Sequence, residues 1–323
     1  MPTHLIIGAG AGLVAAALFA SAASAAALAG VLFYLSPLPL CLAGLGWGRS
    51  AVLLAGLTGT VVIAASLGPA AAAAFGLTIA GPIVVLVHLV LLSRPSAPDA
   101  PAASLEWYPI GRLVGWAALM AGLLAGLLVL VLGYDQESYQ QSIREILNHS
   151  ALKELDPDGT VFTKETVEGL AVVLAKALPA AFAIVWLTIM LFNLWLGGII
   201  VAASGRSLRP WPHLQDLELP NVFVLVFALA MLASFVPGLF GLLLTGLAGA
   251  MLFAYVLQGL AVIHVYSRGS PFRGLLLAVV YLGILLLGWV AILVAILGLG
   301  EPMFGLRARS TWSGQPPKDN KPD

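Results

Sequence analysis

The sequence predicts an all-α protein, a polytopic bundle of transmembrane helices. Of its 323 residues, 60% are hydrophobic and only 9% are charged, whereas soluble domains are about half apolar and a quarter charged. The mean hydropathy is +1.01, and the first uncharged run extends over residues 5–48. Apolar helices of about 20 residues span a bilayer and satisfy their own backbone hydrogen bonds there. The lipid bilayer is therefore the first partner that the composition predicts.

Span length and helix-breaking residues divide the first half of the chain into five membrane helices. They are predicted near 5–27, 30–47, 51–67, 70–92 and 109–133. Gly68-Pro69 separates the third helix from the fourth, because proline interrupts helical hydrogen bonding. A linker rich in proline, alanine and serine, over 94–106, precedes the fifth helix.

The second half of the chain adds four or five further segments. A long apolar helix with an internal Pro179 ends near Ser204, and two helices with a break near Pro237-Gly238 fit between 219 and 266. The last run, 274–304, is long for one helix. A hairpin broken near Gly288 gives ten segments in all, and a single helix gives nine.

The arginines at the ends of the spans predict the orientation of the chain. Basic residues in short loops favour the cytoplasmic side, and the arginines that lie at alternate span ends are Arg49, Arg94, Arg112, Arg206, Arg209, Arg268 and Arg273. We therefore expect both termini in the cytoplasm of a bacterium and a multi-pass protein of its inner membrane. Residues 1–306 form the transmembrane domain in this interpretation, and 307–323 form a disordered cytoplasmic tail.

The polar segment 134–168 is predicted to lie outside the membrane as an insert of the transmembrane domain. It contains eight acidic and three basic residues. Its first part, over 138–153, has the spacing of an amphipathic helix, which would lie on the membrane surface or cap the bundle.

A candidate calcium loop, "ELDPDGTVFTKE", follows in the same segment. Its spacing resembles a twelve-residue calcium loop, in which carboxylate and carbonyl oxygens converge from a tight turn. The candidate ligands are Glu154, Asp156, Asp158, Thr160 and Glu165. The alternative is an Asp-Pro-Asp-Gly turn between two helices. Calcium is the one cofactor that the sequence suggests.

The first helix has a face of small residues. Gly8, Gly12, Ala16 and Ala20 recur every four residues, a spacing that lets a second helix approach closely. We expect a membrane-protein partner on this face, and the alternative is a chance pattern in an alanine-rich helix. The Gly-x-Gly that begins the run is not a dinucleotide loop, because the first acidic residue of the chain is Asp99.

Polar residues and prolines inside spans are the candidates for a solute site. Asn193, Tyr255 and Gln258 lie within apolar helices, where polar groups are costly and often functional. Pro37 and Pro39 break the second helix, which is tolerated where protein or a cavity satisfies the freed carbonyl groups. We predict that these five residues bind substrate.

Three segments together resemble the YybS-like family of bacterial inner-membrane proteins, a family of unknown function. They are "SPLPLCLAGLGWG" (36–48), "LPAAFAIVWLTIMLFNLWL" (178–196) and "LGLGEPMFGLRAR" (297–309). The likeness extends over most of the chain. That family is distantly similar to the substrate-binding S components of energy-coupling-factor transporters, which dock on a coupling protein partly through small residues of their first helix. The resemblance implies a solute-binding component with a membrane partner.

The sequence supports two hypotheses about function. It contains no Walker loop, no Gly-x-Ser-x-Gly, no His-Glu-x-x-His and no cysteine pair, so we predict that the protein is not an enzyme. Fifteen basic and fifteen acidic residues give no field that would attract nucleic acid. The first hypothesis is a small-solute binding or transport component that works with a membrane partner. The second is a non-enzymatic scaffold of the cell envelope.

Overall fold

The computed structural model describes residues 3–24, 28–95, 105–147 and 164–307. In chain order, the helices of these residues are α1 (Thr3–Ala20), α2 (Ala29–Tyr34), α3 (Leu38–Trp47), α4 (Arg49–Leu67), α5 (Pro69–Phe75), α6 (Gly81–Val90), α7 (Ile110–Leu132), α8 (Gln136–Ile146), α9 (Lys164–Ala203), α10 (Val222–Ser234), α11 (Leu239–Tyr266), α12 (Arg273–Leu287) and α13 (Val290–Phe304). Strands in the described residues are limited to β1 (Ser93–Pro95) and β2 (Leu105–Trp107), which pair antiparallel.

The predicted all-α membrane bundle is confirmed. Seven helical segments of the described chain are long and apolar enough to cross a bilayer: Thr3–Ala23, Ala29–Trp47, Arg49–Leu67, Pro69–Val90, Ile110–Leu132, Glu165–Ala203 and Leu239–Tyr266. Three shorter apolar helices, α10, α12 and α13, lie where the sequence predicts the remaining segments. The predicted hairpin is present, and Gly288 makes its turn at a φ of +60°, which glycine adopts without strain.

Helix α1 packs along α4 through its small residues. A Cβ atom added to Gly8 would lie 2.7 Å from the carbonyl oxygen of Ala51, and one added to Gly12 would lie 2.8 Å from Thr58 Cβ and closer still to the Ala55 carbonyl oxygen. Ala16 is also buried, and Ala20 packs against the same core. The face that we predicted for a membrane partner is therefore covered by α4 of the same chain, since absent side chains let the two backbones meet.

Helix α11 is the centre of the second half of the bundle and contacts α7, α9, α10 and α13. Small residues again allow the contact, because a Cβ atom on Gly249 would lie 2.7 Å from Ala180 Cβ of α9. Gly259 of α11 and Gly298 of α13 would each collide with the backbone of the other helix if they carried a side chain. Close backbone approach is how helices gain packing energy in lipid, where the hydrophobic effect between helices is absent.

Helix α9 extends well beyond one span. Its 40 residues measure about 60 Å at 1.5 Å per residue, against a hydrocarbon core of about 30 Å.

The amphipathic helix α8 packs on the first turns of α9. It begins with a capping box at Asp135, and its Arg144 pairs with Glu168 of α9. Hydrogen bonds from the Ser138 amide and hydroxyl lower the pKa of the Asp135 carboxyl. Over its described residues, the predicted amphipathic helix thus caps the C-terminal end of α7 and the N-terminal end of α9.

The C-terminal end of α13 is fastened to the loop before α10. Arg307 Nε donates to Glu301 Oε1 at 2.8 Å, and Arg307 Nη1 donates to the Gln215 carbonyl oxygen at 2.8 Å. The interpretation of the sequence placed Arg307 in a disordered tail. The structure places it in the fold, because its guanidinium compensates the buried Glu301 carboxylate.

Candidate functional site

A cavity of about 420 Å³ lies where the broken second span faces α9. One wall is the turn between α2 and α3, with Ser36 and Pro37, and another is a π-helical turn over Gly76–Ala80. The remaining lining residues are mostly apolar or aromatic: Phe33, Tyr34, Thr78, Ile79, Leu178, Ala181, Phe182, Val185, Trp186, Ile189 and Met190. Tyr34 and Val185 are half-exposed, so the cavity is open at that edge. The predicted topology places it in the outer half of the bilayer.

Asn193 holds the broken helix at the edge of this cavity. Its Nδ2 donates to the Tyr34 carbonyl oxygen at 2.9 Å and to the Ile189 carbonyl oxygen at 2.8 Å. The Tyr34 carbonyl lacks a helical partner because α2 ends at that residue and Leu38 donates to Leu35 instead. Asn193 is fully buried and does not line the cavity itself. The contact that the structure gives Asn193 is therefore one that positions the end of α2.

Trp186 also donates to a backbone carbonyl that lacks a helical partner, in the opposite wall of the cavity. The sequence analysis did not identify this residue. Its Nε1 donates to the Thr78 carbonyl oxygen at 2.7 Å. Pro82 stands four residues after Thr78 and has no N–H to donate to that carbonyl. The proline was the signal that a side-chain donor was needed there, but it does not indicate which residue supplies the donor.

Two buried polar atoms near the cavity have no hydrogen-bond partner among the described residues. They are Ser36 Oγ and Asn193 Oδ1. Ser36 lines the cavity with its side chain fully buried, and a buried hydroxyl without a partner is costly. Among the lining residues, the Ser36 hydroxyl is thus the buried polar group without a partner, in an uncharged and largely apolar surrounding. Pro39 is only partly buried at the start of α3, where a missing N–H costs little.

Tyr255 and Gln258 lie in a different part of the bundle. Gln258 Nε2 donates to the Gly298 carbonyl oxygen at 2.8 Å, and its Oε1 accepts from the Leu219 amide at 2.6 Å. The amide thereby joins α11 to α13 and to the start of α10. Tyr255 packs at 5.6 Å between ring centres against Phe227 of α10. Neither residue lines the cavity beside Pro37, so the five predicted substrate ligands do not form one site.

The predicted calcium loop falls largely outside the described residues. Glu154, Asp156, Asp158 and Thr160 lie there, and Glu165 is exposed in the first turn of α9. Within the described part of the chain, no group of three or more histidine, cysteine or acidic residues is placed to hold a metal ion.

The chain was also compared with known proteins. A family model described as "Predicted membrane protein (DUF2232)" matches residues 13–300. No curated protein and no solved structure matches the chain.

Proposed function

The chain belongs to the DUF2232 family of predicted membrane proteins, and on that premise we propose that it binds a small neutral solute as a component of membrane transport. The observation that supports this is the 420 Å³ cavity with the unpaired Ser36 hydroxyl. Ligand pockets are typically about 300–1,000 Å³, apolar, and equipped with a few polar groups that orient the ligand.

The lining chemistry defines the solute class. None of the described residues that line the cavity is charged, so a charged ligand would lose its hydration without compensation. Phe33, Phe182 and Trp186 present aromatic surface, which favours a flat or aromatic body. The ligand is therefore an apolar or aromatic molecule with one group that hydrogen-bonds to Ser36.

The resemblance to S components supports the solute site of this proposal and not the docking face on α1. A solute cavity in the outer half of a bacterial inner membrane agrees with it. Docking of a coupling protein on Gly8 and Gly12 does not, because α4 covers that face. A membrane partner, if one binds, uses another surface. The role proposed is binding and not catalysis.

Native mass spectrometry of the protein purified in mild detergent tests the proposal. We expect a co-purifying small molecule that Ala181→Phe displaces, because Ala181 lines the cavity and a phenyl ring would fill it. Ala202→Phe is the matched control, on an exposed position of the same helix outside the cavity. Ser36→Ala should weaken retention without changing the melting temperature much. An empty wild-type protein with a tightly bound membrane protein would instead support the scaffold hypothesis.

A further inference from the structure

A second groove, of about 540 Å³, lies beside the turns of α9 that follow the first cavity, from Thr188 to Trp195, in the half of the bilayer that the arginines predict as cytoplasmic. It runs between α9, α7, α11 and α12 and the loop before α10. Its wall is apolar apart from a few groups, of which Arg209 is the charged one. Phe192, Trp195 and Tyr281 are about half-exposed along its edge, so the groove opens sideways.

Arg209 has an incomplete set of partners. Its residue is 7% exposed, and Nη1 donates to the Val90 carbonyl oxygen at 3.0 Å. The guanidinium carbon lies 5.7 Å from the centre of the Trp107 ring. Nε is buried without a hydrogen-bond partner, and no ion pair within the described residues includes Arg209.

The buried positive charge of Arg209 would be stabilised by an anion. Buried guanidinium groups are normally compensated by a carboxylate or a phosphate, because removal of the charge from water is expensive. Burial accordingly lowers the pKa of the Arg209 guanidinium, although an arginine stays protonated in proteins. The neighbouring Arg206 differs, since it is exposed and stacks over Trp47.

We propose that this groove binds an anionic phospholipid, with the headgroup phosphate on Arg209 and an acyl chain along the apolar wall. The free Nε and the Nη groups supply a fork that suits phosphate oxygens. The sideways opening lets the remaining chain stay in the bilayer. Trp195 and Trp211 of the groove are the residue type that is enriched at the lipid–water interface. Basic pockets between membrane helices on the cytoplasmic side are suited to lipid headgroups.

Native mass spectrometry with added lipid measures this site. Detergent-solubilised protein is titrated with dioleoyl phosphatidylglycerol or with dioleoyl phosphatidylcholine. We expect one phosphatidylglycerol to bind about tenfold more tightly than phosphatidylcholine, and Arg209→Gln to remove that preference. Arg206→Gln is the matched control and should retain the preference. Thr188→Phe, which narrows the groove and keeps Arg209, should also weaken phosphatidylglycerol binding and serves if the arginine variant does not fold.

Three results would overturn the proposal. Equal binding of the two lipids would show that the groove does not select a charge. Equal losses in the Arg206 and Arg209 variants would indicate general attraction to a basic surface. Displacement of phosphatidylglycerol by millimolar inorganic phosphate would assign Arg209 to a free anion instead of a lipid headgroup.

Discussion

At the scale of single residues, the polar side chains of this bundle follow the carbonyl groups that the helices leave unpaired. Proline cannot donate to the carbonyl four residues earlier, and in lipid water does not replace the missing donor. Among the carbonyl groups that receive side-chain donors are those of Tyr34 from Asn193, Thr78 from Trp186, Ala175 from Tyr139, and Gly298 from Gln258. The last three precede Pro82, Pro179 and Pro302 by four residues.

Tyr139 shows that the same rule holds outside the spans. Its hydroxyl donates to the Ala175 carbonyl oxygen at 3.0 Å. Burial raises the pKa of Tyr139 to about 12, so the hydroxyl keeps its proton at any physiological pH. One hydrogen bond thus satisfies the carbonyl that Pro179 frees and fixes α8 on α9.

Gln258 allows a direct test of the rule that side-chain donors pair with the carbonyl groups that prolines leave free. Gln258→Leu should lower the free energy of unfolding by roughly 2–6 kcal/mol, because it leaves the Gly298 carbonyl and the Leu219 amide unpaired at about 1–3 kcal/mol each. Pro302→Ala returns a backbone N–H to Gly298. In that background Gln258→Leu should cost about 1 kcal/mol less. Denaturant unfolding of the four proteins in detergent measures the difference.

The control for this double-mutant cycle is Pro179→Ala, because the carbonyl group that Pro179 frees is that of Ala175, which accepts from the Tyr139 hydroxyl. It should leave the cost of Gln258→Leu unchanged, because the two sites share no partner. An unchanged cost in the Pro302→Ala background would contradict the view that Gln258 serves the proline-freed carbonyl.

The sequence identified some of these residues and missed others for a physical reason. Asn193 and Gln258 stand out because an amide is rare in an apolar helix. Trp186 does not stand out, because tryptophan is an ordinary residue in a membrane helix. Of the six buried side-chain atoms that lack a hydrogen-bond partner among the described residues, two belong to residues that line the cavities, Ser36 and Arg209. Only the three-dimensional contacts distinguish these unpaired groups from the paired ones.

At the scale of helices, the sequence predicts where helices end but not which helices pack against each other. Gly68-Pro69, Pro237-Gly238 and Gly288 each separate two helices, as their backbone preferences dictate. The small-residue face of α1 was also correct as a packing surface. Its partner is α4, and nothing in a four-residue spacing indicates whether the second helix belongs to the same chain.

Two glycines of α1 provide a matched pair. Gly12→Ala should lower the free energy of unfolding by about 1–3 kcal/mol, because the new methyl group meets the α4 backbone and forces the helices apart. Gly10→Ala should have no cost, since nothing lies within 4 Å of its Cβ position and alanine favours the helix. Thermal unfolding in detergent compares them. Equal stability of the two variants would mean that α1 does not pack against α4 through its small-residue face.

At the scale of the whole molecule, the two cavities lie beside successive turns of α9 and differ in charge. The one beside Ser36 has no charged lining residue among those described, and the one beside Arg209 holds a buried cation. The arginines that predict the topology lie at the end of the bundle that includes Arg209. The anionic headgroups of the cytoplasmic leaflet would meet them there. The functional assignment of each cavity thus depends on the orientation of the chain.

Cysteine labelling determines that orientation. Cys41 is fully buried, and Cys41→Ala provides a background without thiols, since the chain has one cysteine. Glu137→Cys on α8 and Ser270→Cys in the loop before α12 then introduce single exposed thiols at opposite ends of the bundle. In intact bacterial cells, a membrane-impermeant maleimide should label position 137 and leave position 270 unmodified until the membrane is permeabilised. The reverse pattern would place the Ser36 cavity on the cytoplasmic side, and the solute would then be one that the cell exports or holds internally.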